Sequence, residues 1–404
     1  MPDRAAPRRA PMRIALTAES FLPYVSGVTV SVDALARGLG ARGHEVLVIA
    51  PRPSAGTAPM AVGSPGPEPR YAWLPSYQLP RLTPPGYRMP WPVPLATAWR
   101  EARAWRPEIV HAHSPFVTGV FARRLARATG SPLVFTHHTR FADYGHYLGP
   151  LAGPGARLTD AYLRSFWAGC AAVLAPSSDL ADEIRARLPA DRQGRVHVVP
   201  TGIDVAGIRA LAPVDPRPAA GWPAGAVVVA TLGRLAAEKS VDVVLDAVAR
   251  VPDARLVVIG GGALEARLRE RAARADLAGR VHLTGALPRM EALAVLRGAD
   301  LFAFASRTET QGLVLAEALA AGLPAVAVEG PGVADSVRGG IDGRIVAAEP
   351  AASRAERLAV AIGEMVGDAD LRGRMAERAA ADGGRFALEA RIGQVEVVYA
   401  AVAG

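Results

Sequence analysis

Short, β-branched apolar runs alternate with helix-length stretches along almost the whole of this chain, and the alternation stops once and restarts. Such runs suit parallel strands buried on both faces, with the intervening stretches as crossover helices. MRIALTAE (Met12–Glu19), GHEVLVIAP (Gly43–Pro51), EIVHAHS (Glu108–Ser114), PLVFTHH (Pro132–His138), AAVLAPS (Ala171–Ser177) and RVHVVPTG (Arg195–Gly202) read as strands of a doubly wound α/β domain. Val28, Val32, Leu35 and Leu39 recur at helical spacing after the first of them. The Pro- and Ala-rich Val205–Gly225 reads as a linker. VVVATLGR, RLVVIGGG, RVHLTG, DLFAFASR and PAVAV then predict a second domain of the same kind, with a last helix from about Arg385 to Ala401.

The expected class is therefore α/β, with two doubly wound, Rossmann-like domains facing a central cleft. A disordered tail covers 1–11, the first domain 12–205 and the second 206–384. A C-terminal helix over 385–404 needs somewhere to pack, and the N-terminal domain is the expected place. In open α/β sheets ligands bind beyond the carboxyl ends of the strands. Residues just after each strand are thus the candidates for chemistry.

Composition narrows the class. The 404 residues are 50% hydrophobic and 21% charged, which is globular and long enough for two cores. No apolar run reaches the roughly 18 residues of a membrane span. Met1–Pro11 lacks the apolar segment of a secretory signal. A single cysteine, Cys170, excludes an intrachain disulfide and fits a reducing cytoplasm. Its apolar setting, FWAGCAAVLAP, predicts a buried structural thiol.

The net charge of +8 is uneven: residues 1–200 hold 23 Arg against 13 Asp and Glu, whereas 201–404 hold 23 Arg and Lys against 25. The basic excess lies in the first half and suits an anionic partner. Arg52–Arg106 concentrates it, with seven Arg against two Glu and four of the six Trp. Arg88, Trp91, Trp99, Arg100, Arg103 and Trp105 are the candidates for contact with an anionic membrane surface, LATAWREARAWR forming a short basic helix. Core tryptophans with solvated arginines are the alternative. Nucleic acid is disfavoured, since no recognised module for it appears.

Lys239 is the only lysine among 46 basic residues. Where Arg serves everywhere else, a lone Lys points to a place needing a compact ammonium. It follows the strand VVVATLG within GRLAAEKS, five residues after Arg234. Two cations past a strand end can converge on one anion; a solvated helix start, with Glu238 neutralising Lys239, is the alternative. Glu309 and Glu317 lie in SRTETQGLVLAEALAAGLP, one in the turn after DLFAFA and one in the next helix. The intervening TQGLV supplies backbone N–H groups and a helix N-terminus, an anion site. Carboxylates beside an anion site need another target, and sugar hydroxyls are a natural one; a capped amphipathic helix with surface glutamates is the bland reading.

Taken together, AESFLPYVSGVTVSV, GHEVLVIAP, VHAHSP, THHT, APSS, PTGID, GRLAAEK and TETQGLVLAEALAAGLP resemble the family 4 retaining glycosyltransferases of GT-B fold, nearly throughout from Met12. THHTRFADYGHYLGP and SRTETQGL are most similar to the bacterial enzymes that glucosylate diacylglycerol. The resemblance implies an acceptor-binding first domain and a donor-binding second one. Arg234 and Lys239 would hold a nucleotide-sugar diphosphate, and Glu317 the ribose hydroxyls. Glu309 and the backbone of Thr310, Gln311, Gly312 and Leu313 would hold the hexose and a phosphate oxygen. Gly27 would let the loop after the first strand approach the diphosphate, although Ser26-Gly27 stands where many relatives have a Gly pair. Gly261 and Val281–Leu283 would lie near the base. His138 matches the family histidine near the sugar and the acceptor hydroxyl, with His137 separated from it only by register. Arg234, Lys239 and the helix start stabilise the departing diphosphate without a metal or other cofactor.

The implied activity is transfer of glucose from UDP-glucose to a lipid hydroxyl, that of 1,2-diacylglycerol, by a cytoplasmic enzyme held peripherally at the inner face of the cell membrane. A GDP-mannose-dependent mannosyltransferase acting on a glycolipid, and a nucleotide-sugar epimerase or hydrolase of the same fold, are the alternatives. Asp368-Ala369-Asp370 follows no apolar strand and reads as a helix cap, not a metal signature. His111 and His113 lack a third ligand. Gly260-Gly261-Gly262 lacks the spacing of a dinucleotide fingerprint.

Overall fold

A computed structural model describes residues 10–54, 65–78, 86–91, 96–140, 152–306 and 308–404. The start of the chain, parts of Arg52–Arg106 and the stretch FADYGHYLGP lie outside them. Two compact units divide the chain: the first runs to Pro176 and takes up Ala181–Gly202 and Leu388–Gly404, and the second holds Ser177–Leu180 and Ile203–Ala387.

The first unit contains β1 (Arg13–Thr17), β2 (Glu45–Pro51), β3 (Arg70–Leu74), β4 (Ser76–Tyr77), β5 (Met89–Pro90), β6 (Ile109–Ala112), β7 (Leu133–Thr136), β8 (Ala172–Ala175) and β9 (Val196–Val198). Seven of these form one parallel sheet in the order β3-β2-β1-β6-β7-β8-β9, while β4 and β5 pair antiparallel. The second unit contains β10 (Val227–Leu232), β11 (Ala254–Ile259), β12 (Val281–Gly285), β13 (Leu301–Phe304), β14 (Ala325–Val328) and β15 (Gly343–Val346). They form a parallel sheet in the order β12-β11-β10-β13-β14-β15. Two parallel α/β sheets match the class expected from the sequence.

The second sheet shows why its strands read as unbroken apolar runs. Val229, Leu256, Val258, Leu301, Ala303, Val326 and Val328 enter one core, and Val228, Ala230, Val257, Ile259, Phe302, Phe304 and Ala325 enter the other. Successive residues point to opposite faces, and helices cover both. Within the two parallel sheets, the strands that the apolar runs did not reveal, β3 and β15, are edges. RYAWL exposes Arg70, and GRIV leaves three of its four residues half-buried. An edge strand packs on fewer neighbours and does not need a continuous apolar run.

The C-terminal helix, Leu388–Ala403, belongs to the first unit and packs on the Gly27–Ala41 helix. Val395, Val398 and Tyr399 share a core with Ile14, Leu16, Val32 and Leu39. Glu396, 4% exposed, receives Arg42 Nε at 2.7 Å and His44 Nε2 at 2.9 Å. His44 Nδ1 accepts from the Met12 N–H, so Nε2 is the nitrogen that donates. The helix begins where Gly202 lets it approach: a Cβ on Gly202 would lie 2.5 Å from Leu388 Cα. Backbone cannot yield as a side-chain tip can. Gly202→Ala is therefore expected to cost about 1–3 kcal/mol of stability, seen as a lower urea midpoint with an unchanged slope.

Candidate active site

Parallel pairing places the carboxyl ends of β10 to β14 along one edge of the second sheet, and the candidate donor residues follow those ends. After β10 the chain passes Gly233 and Arg234 into a 3-10 turn, Ala237–Lys239. Ser240 then adopts φ 49°, left-handed and uncommon for a residue with a Cβ, before the Val241–Ala249 helix begins. Lys239 Nζ pairs with Glu309 Oε1, and Arg234 Nη2 pairs with Glu238 Oε1 at 2.9 Å. Ser306 Oγ donates to the Glu238 carbonyl at 3.1 Å, tying the turn after β10 to the loop after β13. The structure thus joins Lys239 to Glu309 directly, whereas Arg234 has its own carboxylate.

Beyond Glu309 and Thr310, Gln311 is buried at 5% exposure, and a hydroxyl, Ser336 Oγ, donates to its carbonyl. Gly312 at φ 73° caps the Leu313–Ala320 helix with no side-chain hydrogen bond to the helix start. The first N–H groups and the positive end of the helix dipole sit there. Gly332, at φ 70°, approaches so closely that a Cβ would lie 2.7 Å from Gln311 Cα. Glu317 is 2% exposed and ion-paired with Arg289 Nη2. Arg289 begins the helix after β12, a strand-end position that sequence reasoning passed over although Pro288 marks the helix start. Without it a carboxylate this buried would lack a counter-charge.

Gly260, Gly261 and Gly262 have a steric cause. Added Cβ atoms would lie 2.0 Å from the Gly233 carbonyl oxygen, 3.0 Å from Ala286 Cβ and 2.4 Å from the Leu235 carbonyl oxygen. The loops after β10, β11 and β12 close on one another here. Val281 does not join this group: it opens β12 opposite Leu256, on the amino side of the sheet, and Ala286 is the β12 neighbour of Gly261. Counting the base contact from the start of the strand put it at the wrong end. Asp368 caps the Ala369–Asp382 helix by accepting from Leu371 N at 2.8 Å, as its position suggested.

In the first unit Gly27 opens the Gly27–Ala41 helix after β1, with Ser26 and Thr29 closing a capping box. β7 stops at Thr136, and the two histidines that follow diverge. His137 is 3% exposed and lies edge-on to Phe135 and Trp167, with ring centroids 5.6 and 5.3 Å away. His138 is half-buried and turns to His113: its Nε2 lies 2.8 Å from His113 Nδ1. His137 is thus a core residue, and His138 is the one of the pair that reaches His113. His111 uses both nitrogens, Nδ1 with the Tyr399 hydroxyl and Nε2 with Thr136 Oγ1, each at 2.7 Å. No ring nitrogen of His111 is left for a metal. Burial lowers His111 and His137 to about 3 and His138 to about 4, and holds His113 well below its ordinary value. All four are neutral at physiological pH. Cys170 is fully buried, and burial pushes its thiol up to about 12.

The membrane candidates are mixed. Arg88 donates to Ser76 Oγ at 2.8 Å and to the Ser76 carbonyl at 2.7 Å, holding the β4–β5 hairpin. Trp99 lies edge-on to Phe121 at 5.6 Å. Trp91 is 49% exposed beside Tyr77, and Arg100 and Arg103 are exposed on the Ala96–Trp105 helix, whose last residue, Trp105, is half-buried. Among the described residues no helix is long and apolar enough to cross a membrane.

Comparison with known proteins fits both halves. Residues 25–206 match the family model for Glycosyltransferase Family 4, and residues 216–382 match that for Glycosyl transferases group 1. An alpha-monoglucosyldiacylglycerol synthase of Acholeplasma laidlawii is 30% identical over 78% of this chain and 80% of its own. The chain belongs to glycosyltransferase family 4. A GDP-mannose-dependent alpha-mannosyltransferase of Mycolicibacterium smegmatis is also similar, 32% identical over 81% of this chain and 82% of its own. In fold, the chain resembles HepE of Anabaena, solved with UDP and glucose, with a TM-score of 0.71 and 18% identity over 96% of this chain and 100% of that one. It is thus a GT-B hexosyltransferase of a retaining family, in which a nucleotide-sugar donor is typical.

The four neutral histidines of this family 4 enzyme carry a pH signature. The unfolded chain titrates them near 6.5, so below that pH the unfolded state binds more protons than the folded one. Stability is full above about 6.5 and falls as the pH drops toward 4, by at most about 1.4 kcal/mol per pH unit for each histidine. Urea midpoints measured between pH 7.5 and 5, ranges chosen as ordinary assay conditions, should decline, and His137→Leu should flatten the decline.

Proposed function

We propose that this hexosyltransferase moves glucose from UDP-glucose onto a lipid hydroxyl, that of 1,2-diacylglycerol. The observation that carries the donor half is the pairing of the sole lysine, Lys239, with Glu309 just ahead of the helix start at Gly312, which no side chain caps. Arg234 and Lys239 hold the diphosphate, drawn away from Glu238 and Glu309 by its greater charge. Glu309, once released, accepts from the hexose hydroxyls, and the backbone of Thr310, Gln311, Gly312 and Leu313 receives a phosphate oxygen. Glu317, oriented by Arg289, accepts from the ribose hydroxyls. Gly261 lies by the base, and Gly27 admits the diphosphate to the loop after β1. As the bond from the anomeric carbon to phosphate breaks, negative charge grows on the leaving diphosphate, where fixed cations and helix dipole stabilise it. The acceptor hydroxyl attacks from the face the diphosphate leaves, and its proton passes to the departing phosphate oxygen. Neutral His138 orients that hydroxyl by hydrogen bonding.

The lipid half rests on the relative in Acholeplasma laidlawii and on the exposed Trp91, Arg100 and Arg103 of the first unit, which suit an anionic membrane surface. The enzyme is proposed to work from the cytoplasm, peripherally attached to the inner face of the membrane. A second reading, GDP-mannose and a glycolipid acceptor, is favoured by the similarity to the Mycolicibacterium smegmatis mannosyltransferase.

Incubation with radiolabelled UDP-glucose or GDP-mannose and a lipid extract decides between them. Glucose in a diacylglycerol product supports the first, mannose in a glycolipid supports the second, and free sugar alone refutes both in favour of hydrolysis. Lys239→Ala and Glu317→Ala should each lower turnover by about 100-fold or more in folded protein. Lys239→Arg should also be poorly tolerated, because a broad planar fork replaces a compact ammonium. Sedimentation no stronger with anionic than with neutral vesicles would remove the membrane part of the proposal.

A further inference from the structure

We infer that His113 is a positioning residue for His138: through its Nδ1 it fixes the orientation of the His138 ring and which of the two His138 nitrogens carries the proton. This rests on the reading that His138 acts at the acceptor hydroxyl. His113 Nδ1 and His138 Nε2 face each other at 2.8 Å, and the rings stack with centroids 5.1 Å apart and planes 23° apart. Two neutral imidazoles meeting through one nitrogen each share one proton, so one ring must donate and the other accept. The tautomer of His138, and hence what its remaining nitrogen offers, is thereby tied to that of His113.

His113 is itself held. It is 4% exposed, and the His111 ring lies against it at 4.2 Å between centroids. His111 is clamped between Thr136 at the end of β7 and Tyr399 of the C-terminal helix, itself fully buried. On the other side, His113 Nε2 is buried without a partner among the described residues, and the ring lines a cavity shared with Ser31 and Thr201, whose hydroxyls lie 3.4 Å apart. The walls of this recess are mostly apolar, Leu35, Leu174, Val199 and Ile392 among them, so the His113 tautomer is set where its Nδ1 meets His138 Nε2, and the packed His111 ring holds that contact in place. Burial, which keeps both rings neutral, preserves this one-proton arrangement across the physiological range.

The test compares five variants of the full chain with the donor that supports transfer. An asparagine amide reaches the place of imidazole Nδ1, whereas glutamine reaches toward Nε2. His113→Ala is expected to lower kcat by about tenfold or more, with KM for the donor changed less than about twofold. His113→Asn should recover to within about threefold of the parent, and His113→Gln should stay low. In the double variant with His138→Ala, the His113→Ala loss should vanish, because the two groups act as a unit. Turnover of His113→Ala near that of the parent, equal impairment of the Asn and Gln variants, or additive losses would each overturn the inference. Where His113→Ala fails to fold, the Asn and Gln pair decides alone. If His138→Ala itself turns over normally, the reading of His138 at the acceptor falls, and this inference falls with it; if only His113→Ala does, the His138 reading stands.

Discussion

Parallel strand pairing governs the rest of this molecule. A chain cannot return to the start of a neighbouring parallel strand without a crossover, so each strand end is followed by a loop and then a helix. Every carboxyl end in a sheet is thereby delivered to one edge. In the second unit that edge collects Arg234 and Lys239 after β10, Gly260–Gly262 after β11, Arg289 after β12, and Glu309 through Glu317 after β13. These residues span more than eighty positions of sequence, and no local interaction could assemble them. The three glycines let the loops approach one another, because a side chain at any of them would meet backbone or a neighbouring Cβ at 3.0 Å or less. Lys239 meets Glu309 on the other side of β10, because β10 and β13 pair directly.

Charge in this edge is held in pairs. Lys239 faces Glu309, Arg234 faces Glu238, and Arg289 faces Glu317. The three pairs differ in burial. Arg234 is half exposed and its pair is worth little in water. Glu317 is almost fully buried, so losing Arg289 would strand a charge in low dielectric. The pair most open to water is thus Arg234 with Glu238, and the pair that fixes the Leu313–Ala320 helix is the one closed to it.

The central strands were readable from sequence because burial on both faces demands continuous apolar residues, as in VVVATL and LFAF. β3 and β15 were not, since edge positions relax that demand and leave Arg70 or Arg344 in the strand. Lys239, Glu309 and Glu317 stood out by composition and spacing, and Lys239 and Glu309 prove to be partners, yet the partner of Glu317 did not stand out. Arg289 is one arginine among 45 and its meaning lies in the buried Glu317 it reaches across sequence. Val281 shows the opposite failure. It lies near the start of RVHLTG, and the rule that ligands lie beyond carboxyl ends already favours the residues after it; the parallel register opposite Leu256 places it accordingly on the amino side. Nothing in THHT says which histidine turns inward; Phe135 and Trp167 decide it by enclosing His137.

The two units divide the electrostatic labour by dielectric. In the second unit the polar groups are charged, partly open to water and paired, a state suited to exchanging partners with an anion. In the first unit His111, His113 and His137 are buried and His138 is half-buried, and burial keeps all four neutral. A buried imidazolium here would repel its neighbours and lose water that nothing replaces. A neutral ring pays neither cost but must have its tautomer set by what surrounds it. Tyr399 of the C-terminal helix does this for His111 by bonding its Nδ1, while Glu396 of the same helix joins Arg42 and His44 at the opposite end of the unit. The last helix of the chain therefore does more than cover a core: its hydroxyl bonds His111, against whose ring packs His113, the partner of His138.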